Sequence, residues 1–432
     1  MTGPTHRFHP VWLLLAALLC EVGMRVYFQC IVIPHQLADA AAHGRPRGNV
    51  SDLYPPWIGT RELLLHGRDP YSDDVTREIQ IGFYSRPLNP ARAEDPANEE
   101  RFAYPLYVVF PLAPALLFRF DTFQDVYLWG TFLAIVLSVP LWLRLLHWRV
   151  SRWTLLSLML FTLGSPGAMQ ALKLHQLSLL VMAWVFAAAF LLISGRQLGA
   201  GILLALATIK PQLLWLPVAW LALWCLSDWK RRYRLAVGFL VTMLALLVGS
   251  EVLLPKWILG FWRNIQEYPR YTGAASVVSK MVDPTLGVIL AIVTAVATLW
   301  ICWREREQSA ESEAFVRTLC LVLAASVFIA PTFVPYNQIL LIPPALLLAR
   351  DASSVLRRGG VELVLLRLTV VTLAWPWLCS IALAMLWLSS PGQADNFWTV
   401  PFWPVWMIPM VFTASMLLLA LRSRSATARA TQ

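Results

Sequence analysis

The sequence predicts an all-α polytopic membrane protein with one large water-facing segment near its start. Three observations carry this. Of 432 residues, 58% are hydrophobic and only 14% charged, where a soluble domain carries about 25% charged residues. Mean hydropathy is +0.60, and apolar runs of roughly 20 residues recur, the length a helix needs to cross the hydrocarbon core. The longest polar interruption, 34–104, falls after the first such run. Continuous rather than alternating runs argue against a β-barrel.

The net charge of +10 does not read as nucleic-acid binding. The basic residues cluster between apolar runs, as the positive-inside bias requires. The six cysteines, Cys20, Cys30, Cys225, Cys302, Cys320 and Cys379, lie in or beside apolar runs without paired spacing, against a disulfide framework or zinc site. The run 11–33 is too long for a signal-peptide core and lacks a small-residue cleavage site, so it is expected as a retained span.

Taken in order, Arg7 before the first span puts the N-terminus in the cytoplasm. The segment 34–125 then lies outside. Within it, 105–118 carries Pro105, Pro111 and Pro114 and is expected as an interfacial or re-entrant helix. Were it a span, the basic cluster 144–153 after the next run would face outward, against the bias. Spans follow over 126–146, 153–169 and 177–193. The apolar stretch 198–226 has basic residues at both ends and is broken at Ile209-Lys210-Pro211, where proline removes a donor and lysine is costly in lipid. It is expected as two helices meeting at the outer side. Further spans over 235–254, 284–303, 318–333, 339–349, 361–388 and 402–421 bring the count to about twelve. The organisation is a first span (1–33), an outer catalytic segment (34–125), a bundle (126–421) and a cytoplasmic tail (422–432).

This topology puts Lys173, Lys210, Lys256, Lys280, His175, Arg263 and Arg270 on the side that disfavours cations. With Asp52 they suggest a site that holds an anion. Each has a plainer reading. Asp52 is either a general base or an N-cap for a helix over 55–65; Asp39 is the second candidate base. Lys210 is either a phosphate contact or a lysine snorkelling to the headgroups. Lys173 and His175 divide evenly between site and interface. Arg263, Tyr268 and Arg270 read as an interfacial helix anchored by Trp262 and Tyr271. Asp69 reads as a turn residue before Pro70, and Asp95, Glu99 and Glu100 as a solvated loop. Asn49-Val50-Ser51 is a formal glycosylation sequon.

SDLYPPWIGTRELLLHGRDPY (51–71) resembles the first-loop signature of glycosyltransferase family 87. FAYPLYVVFPLAPALLF (102–118) is similar to that family's YPP-led segment, KLHQLSLLVMAW (173–184) to its Gly-Gln-Asn-led helix and ATIKPQLLWLP (207–217) to its Lys-Pro helix break; VPYNQILLIPP (334–344) is a fainter echo. One proline follows Tyr104 where the family has two, and His175 stands where it has glycine. The resemblance implies a GT-C type membrane enzyme that needs no nucleotide; no cofactor is expected, and with no metal-ligand cluster evident a metal is not required. It would move a hexosyl unit, with mannosyl the candidate, from a polyprenyl-phosphate sugar to a lipid or glycan acceptor at the outer face of the membrane, with inversion. Asp52 would be the general base; Lys210, Lys173, His175, Gln176, Tyr104 and Arg263 would face the substrates. The setting would be a bacterial plasma membrane, with both termini cytoplasmic. The alternative is a secondary transporter or flippase, since broken helices also mark transporter sites. The long outer segment and the lack of an internal repeat argue against it.

Overall fold

The computed structural model describes residues 10–44, 51–89, 91–93, 95–96, 98–273 and 275–430, with side chains from 11 to 422. Arg7, the Asn49-Val50-Ser51 sequon as a unit and the side chain of Arg424 lie outside the described residues. Among those described, all regular structure is helical.

Among the described residues seven helices are long and apolar enough to cross a membrane: Val11–Ala42, Phe120–Leu145, Trp229–Leu253, Pro284–Glu305, Pro335–Arg358, Gly360–Ser389 and Pro391–Arg422. The pair Arg152–Leu163 and Pro166–Lys173, bent by 57°, makes an eighth if counted as one span. The bend is local chemistry: Ser165 caps the second helix by accepting from the Ala168 amide, and Pro166 follows at its first position, where the missing N–H costs nothing. Three further apolar helices, Leu177–Ile193, Gln197–Ala207 and Pro211–Ser227, are shorter. The protein is a multi-pass membrane protein.

The bundle is built around Glu313–Ile329, which is buried almost continuously from Phe315 to Ile329. It packs on Pro211–Ser227, Pro284–Glu305 and Met407–Ala430. The helix Trp229–Leu253 instead exposes Leu240, Val241 and Leu244, the apolar outer surface that lipid accepts. It lies against Gln197–Ala207 through two glycines. A Cβ on Gly201 would meet the Leu235 carbonyl, and one on Gly238 the Leu198 carbonyl, so small residues set this close approach.

The two ends of the bundle differ. At one end Phe120 rings pack on Tyr54 and Trp57 of the first polar segment. The 26-residue helix that begins there is roughly 39 Å long. At its far end the Leu146 carbonyl accepts from Arg350 at 2.8 Å. Beyond it, Arg304 donates to the Ala420 carbonyl at 2.7 Å, and Arg232 donates to the carbonyls of Trp224 and Arg306, both at 2.7 Å. Arginine thus ties down the far end.

The polar segment is folded onto the near end. Tyr54–His66 starts with Pro55 and Pro56 and stops at Gly67, whose φ of 65° is the left-handed cap. Ser72 caps Asp73–Tyr84 through the Val75 amide. Asp69 turns the chain between them, accepting from the Tyr71 amide at 2.8 Å. The prolines break 105–118 into short turns, Leu106–Val108, Val109–Leu112 and Ala113–Leu117. These turns are packed in the core through Leu106, Val108 and Val109. The acidic run is not the solvated loop expected. Asp95 pairs with Arg86, and Glu99 holds Arg101 at 2.6 Å. Arg101 also reaches Glu267, at 2.9 Å. The basic partners lie outside the run, which is why the run alone reads as solvated.

Candidate active site

Asp52 precedes the Tyr54–His66 helix but does not cap it. The helix has Leu53 at its N-cap position and no side-chain cap. Ser51 turns inward instead, its hydroxyl accepting from the Leu53 amide at 3.3 Å. The Asp52 amide donates to the Leu174 carbonyl at 3.0 Å, which docks the polar segment on the turn 173–176. That frees the Asp52 carboxylate to accept a hydrogen bond from the Gln176 side-chain amide.

Gln176 passes the contact on. Its carbonyl oxygen accepts from the Lys210 ammonium at 2.7 Å. Lys210 also donates to Ser178 Oγ at 2.9 Å, and Ser178 donates to Asn337 Oδ1 at 2.7 Å. The Tyr336 ring covers the ammonium at 5.0 Å from its centroid, a cation–π contact. Four separate stretches of chain thus meet: 51–52, 176–178, 210 and 336–337. Lys210 is only 4% exposed. The break before Pro211 places it, since Lys210 closes a turn on the Ala207 carbonyl before the next helix begins. Tyr107 holds that turn to the polar segment by donating to the Thr208 carbonyl at 3.0 Å.

The electrostatics follow from enclosure. Burial pushes the Asp52 carboxyl up to about 6, against the opposing charges of Lys210 and Lys173 and the Gln176 hydrogen bond. Burial pushes the Lys210 ammonium down to about 7, opposed by Asp52. Glu100, half-buried, is driven well above the usual carboxylate range by burial and by the charge of Asp52. Burial and Asp52 also raise Tyr104 well above the ordinary phenol range and Tyr268 to about 12.

The sequence-predicted residues divide. Asp52, Gln176 and Lys210 form one continuous network. Lys173 stands beside it, bonded to Gln36, and its charge acts on Asp52. His175 is buried in the same turn with φ +49°, and its Nδ1 has no partner among the described residues. A left-handed backbone at this position explains why glycine suits it. The Asp52 charge acts on Tyr104, whose carbonyl accepts from Tyr71 at 2.8 Å. Arg263 is one step removed, donating to the Tyr71 carbonyl at 3.2 Å. Asp39 is away from the network, exposed and beside His43 at 3.5 Å. Two groups at the site escape sequence reasoning. Glu100 reads as loop, because nothing in its run marks it off from Asp95 and Glu99. Tyr268 reads as an interfacial anchor, because its helix, Trp257–Thr272, is amphipathic. Among the described residues no group of three His, Cys, Asp or Glu side chains is arranged to hold a metal ion.

The chain is thus a multi-pass helical bundle with an enclosed carboxylate, a buried lysine and a half-buried lysine at one end. The model of glycosyltransferase family 87 matches residues 102–331, just over half of the 432-residue chain, and the protein belongs to that family. The match spans Tyr104, Lys173, His175, Gln176, Lys210 and Arg263; Asp52 and Tyr336 lie outside it. Searches of curated proteins and of solved structures return no match. Membership of a transferase family sets aside the transporter alternative.

Proposed function

We propose that the protein moves a hexosyl unit, with mannosyl the candidate, from a polyprenyl-phosphate sugar to a hydroxyl of a lipid or glycan acceptor. The reaction is read as inverting and GT-C type, at the outer face of a cell membrane, with about twelve crossings and both termini in the cytoplasm. The observation that carries this reading is the Asp52 carboxylate, held by Gln176 and raised to about 6. That value suits a base working near neutral pH.

In the proposed step the acceptor oxygen bonds to the anomeric carbon as its proton passes to Asp52. The bond from that carbon to the phosphate oxygen breaks, and the electron pair leaves with the polyprenyl phosphate. A single displacement inverts the carbon. Fixed positive charge should stabilise the departing phosphate. The two lysines are suited to different parts of this. Two of the three Lys210 donors are already used, on Gln176 and Ser178, so Lys210 is read as orienting Gln176 and balancing Asp52. Lys173 is half-buried with its one side-chain bond to Gln36, and is read as the phosphate contact.

Membranes carrying the protein, supplied with labelled hexose on polyprenyl phosphate or on a nucleotide, test the donor. Transfer from the polyprenyl phosphate alone is the expected result. Transfer from the nucleotide sugar in membranes stripped of polyprenyl phosphate would overturn it.

A further inference from the structure

A second feature lies beside the Asp52 network. A cavity of about 320 Å³ is lined by Gln36, Gln170, Lys280, Pro335, Trp398 and Trp406, among others. It adjoins the network at two points. Gln36 is the partner of Lys173, whose charge acts on Asp52. Pro335 lines the cavity, while the next residue, Tyr336, covers Lys210.

The lining mixes polar side chains with apolar ones, Met281, Phe333, Phe402 and Val405 among the latter. Trp406 and Trp398 bring indoles to the wall, flat apolar surfaces of the kind that suit the C–H side of a pyranose ring, with one side of Trp398 already packed by His35. The Gln170 amide carries both a donor and an acceptor, the pairing that vicinal hydroxyls need, while Gln36, whose oxygen Lys173 holds, offers its NH₂. Lys280 adds a donor at the exposed rim. The volume sits at the low end of the roughly 300–1,000 Å³ of small-molecule pockets, room for a sugar rather than a whole lipid. The wall is also anchored. His35 lies against Trp398, the rings 4.7 Å apart between centroids and tilted by 32°, and bonds Asp395 at 2.8 Å. The Gln338 amide holds the Val405 carbonyl at 2.6 Å, next to Trp406.

We propose that this cavity is a sugar-ring subsite, occupied by the sugar of the donor or by a sugar of the acceptor. The proposal rests on the transferase reading above, and binding separates the two. The full-length protein in a sugar-free detergent is photolabelled with a diazirine-bearing octyl hexoside, and with the same octyl diazirine lacking the sugar. Labelling of 398–406 by the hexoside alone is expected in wild type and equally in Asp52→Asn. Gln170→Ala and Trp406→Leu should each lower it about tenfold, the loss of one hydrogen bond or one stacking face. In transfer assays the same variants should raise KM with little change in kcat: for the donor if its sugar sits here, for the acceptor if the acceptor's does. Equal labelling by the sugarless probe, or unchanged KM for both substrates, would overturn the subsite and leave the transferase reading standing. Specific labelling in a protein that transfers no sugar would do the reverse.

Discussion

Lys210 holds the side-chain carbonyl of Gln176 at 2.7 Å and thereby decides which way that amide faces. An ammonium can only donate, so Gln176 must turn its oxygen to Lys210 and its NH₂ to Asp52. That NH₂ favours an ionised Asp52, which can only accept. The positive charge is therefore felt at Asp52 both through space and through the amide.

The pH dependence of transfer follows. A general base must be ionised, and Asp52 sits at about 6, so kcat/KM should rise with pH through that value. Lys210 lowers the Asp52 pKa. Lys210→Met removes this effect, and the acid limb should move to higher pH. A limb that stays in place, measured across pH 5–8, would show that Lys210 does not act on the base.

Glu100 is a second carboxyl on which the Asp52 charge acts, and the two should not be equivalent. Burial and the neighbouring Asp52 charge favour its protonated form, which glutamine mimics. Glu100→Gln should transfer sugar within a few-fold of wild type. A loss as deep as that of Asp52→Asn would make Glu100 the base instead.

His175 occupies a left-handed backbone at φ +49°, which costs a residue with a Cβ about 1–2 kcal/mol. Glycine escapes that cost and a β-branched side chain feels it most. Thermal unfolding should therefore rank His175→Gly well above His175→Val. Equal midpoints for the two variants would show that the turn is not strained.

At the far end of the bundle Arg232 gathers the carbonyls of Trp224, Arg306, Glu307 and Gln308 with the Ser227 hydroxyl, at 2.7–3.1 Å. Arg232→Leu would remove these five hydrogen bonds, leaving the carbonyls of Trp224, Arg306 and Gln308 to the Ser227 hydroxyl and the Trp224 indole and that of Glu307 to solvent; hydrogen bonds from a charged group are worth roughly 1.5–3 kcal/mol. Heat stability should fall and protease cutting near 306–308 should rise, with KM for both substrates unchanged. A variant as stable as wild type would show that the remaining partners suffice.

Much of this was readable in the sequence. Apolar run length and charge bias gave the helical membrane class. The Lys210-Pro211 break marked a place where a buried lysine could be held. Less could be read where the partner is remote in sequence. Asp52 after serine looks like an N-cap, and only the docking of 51–52 on the turn 173–176 shows that its carboxylate is used elsewhere. Hydropathy gave no hint that Lys210 is held by Gln176 and Ser178 or that the Asp52 charge acts on Glu100. The span count is likewise weakly encoded. Seven or eight helices meet the length and composition for crossing, and short helices such as Gln197–Ala207 depend on neighbours rather than on their own length.

The central claim is that Asp52 takes the acceptor proton, and the most direct measurement is the transfer rate of Asp52→Asn from polyprenyl-phosphate hexose at pH 7.5. The variant keeps the shape of the side chain and its contact with Gln176 but cannot act as base. The account predicts a fall of about 10²–10⁴-fold in kcat with heat stability near that of wild type. A rate within a few-fold of wild type in a folded variant would contradict it.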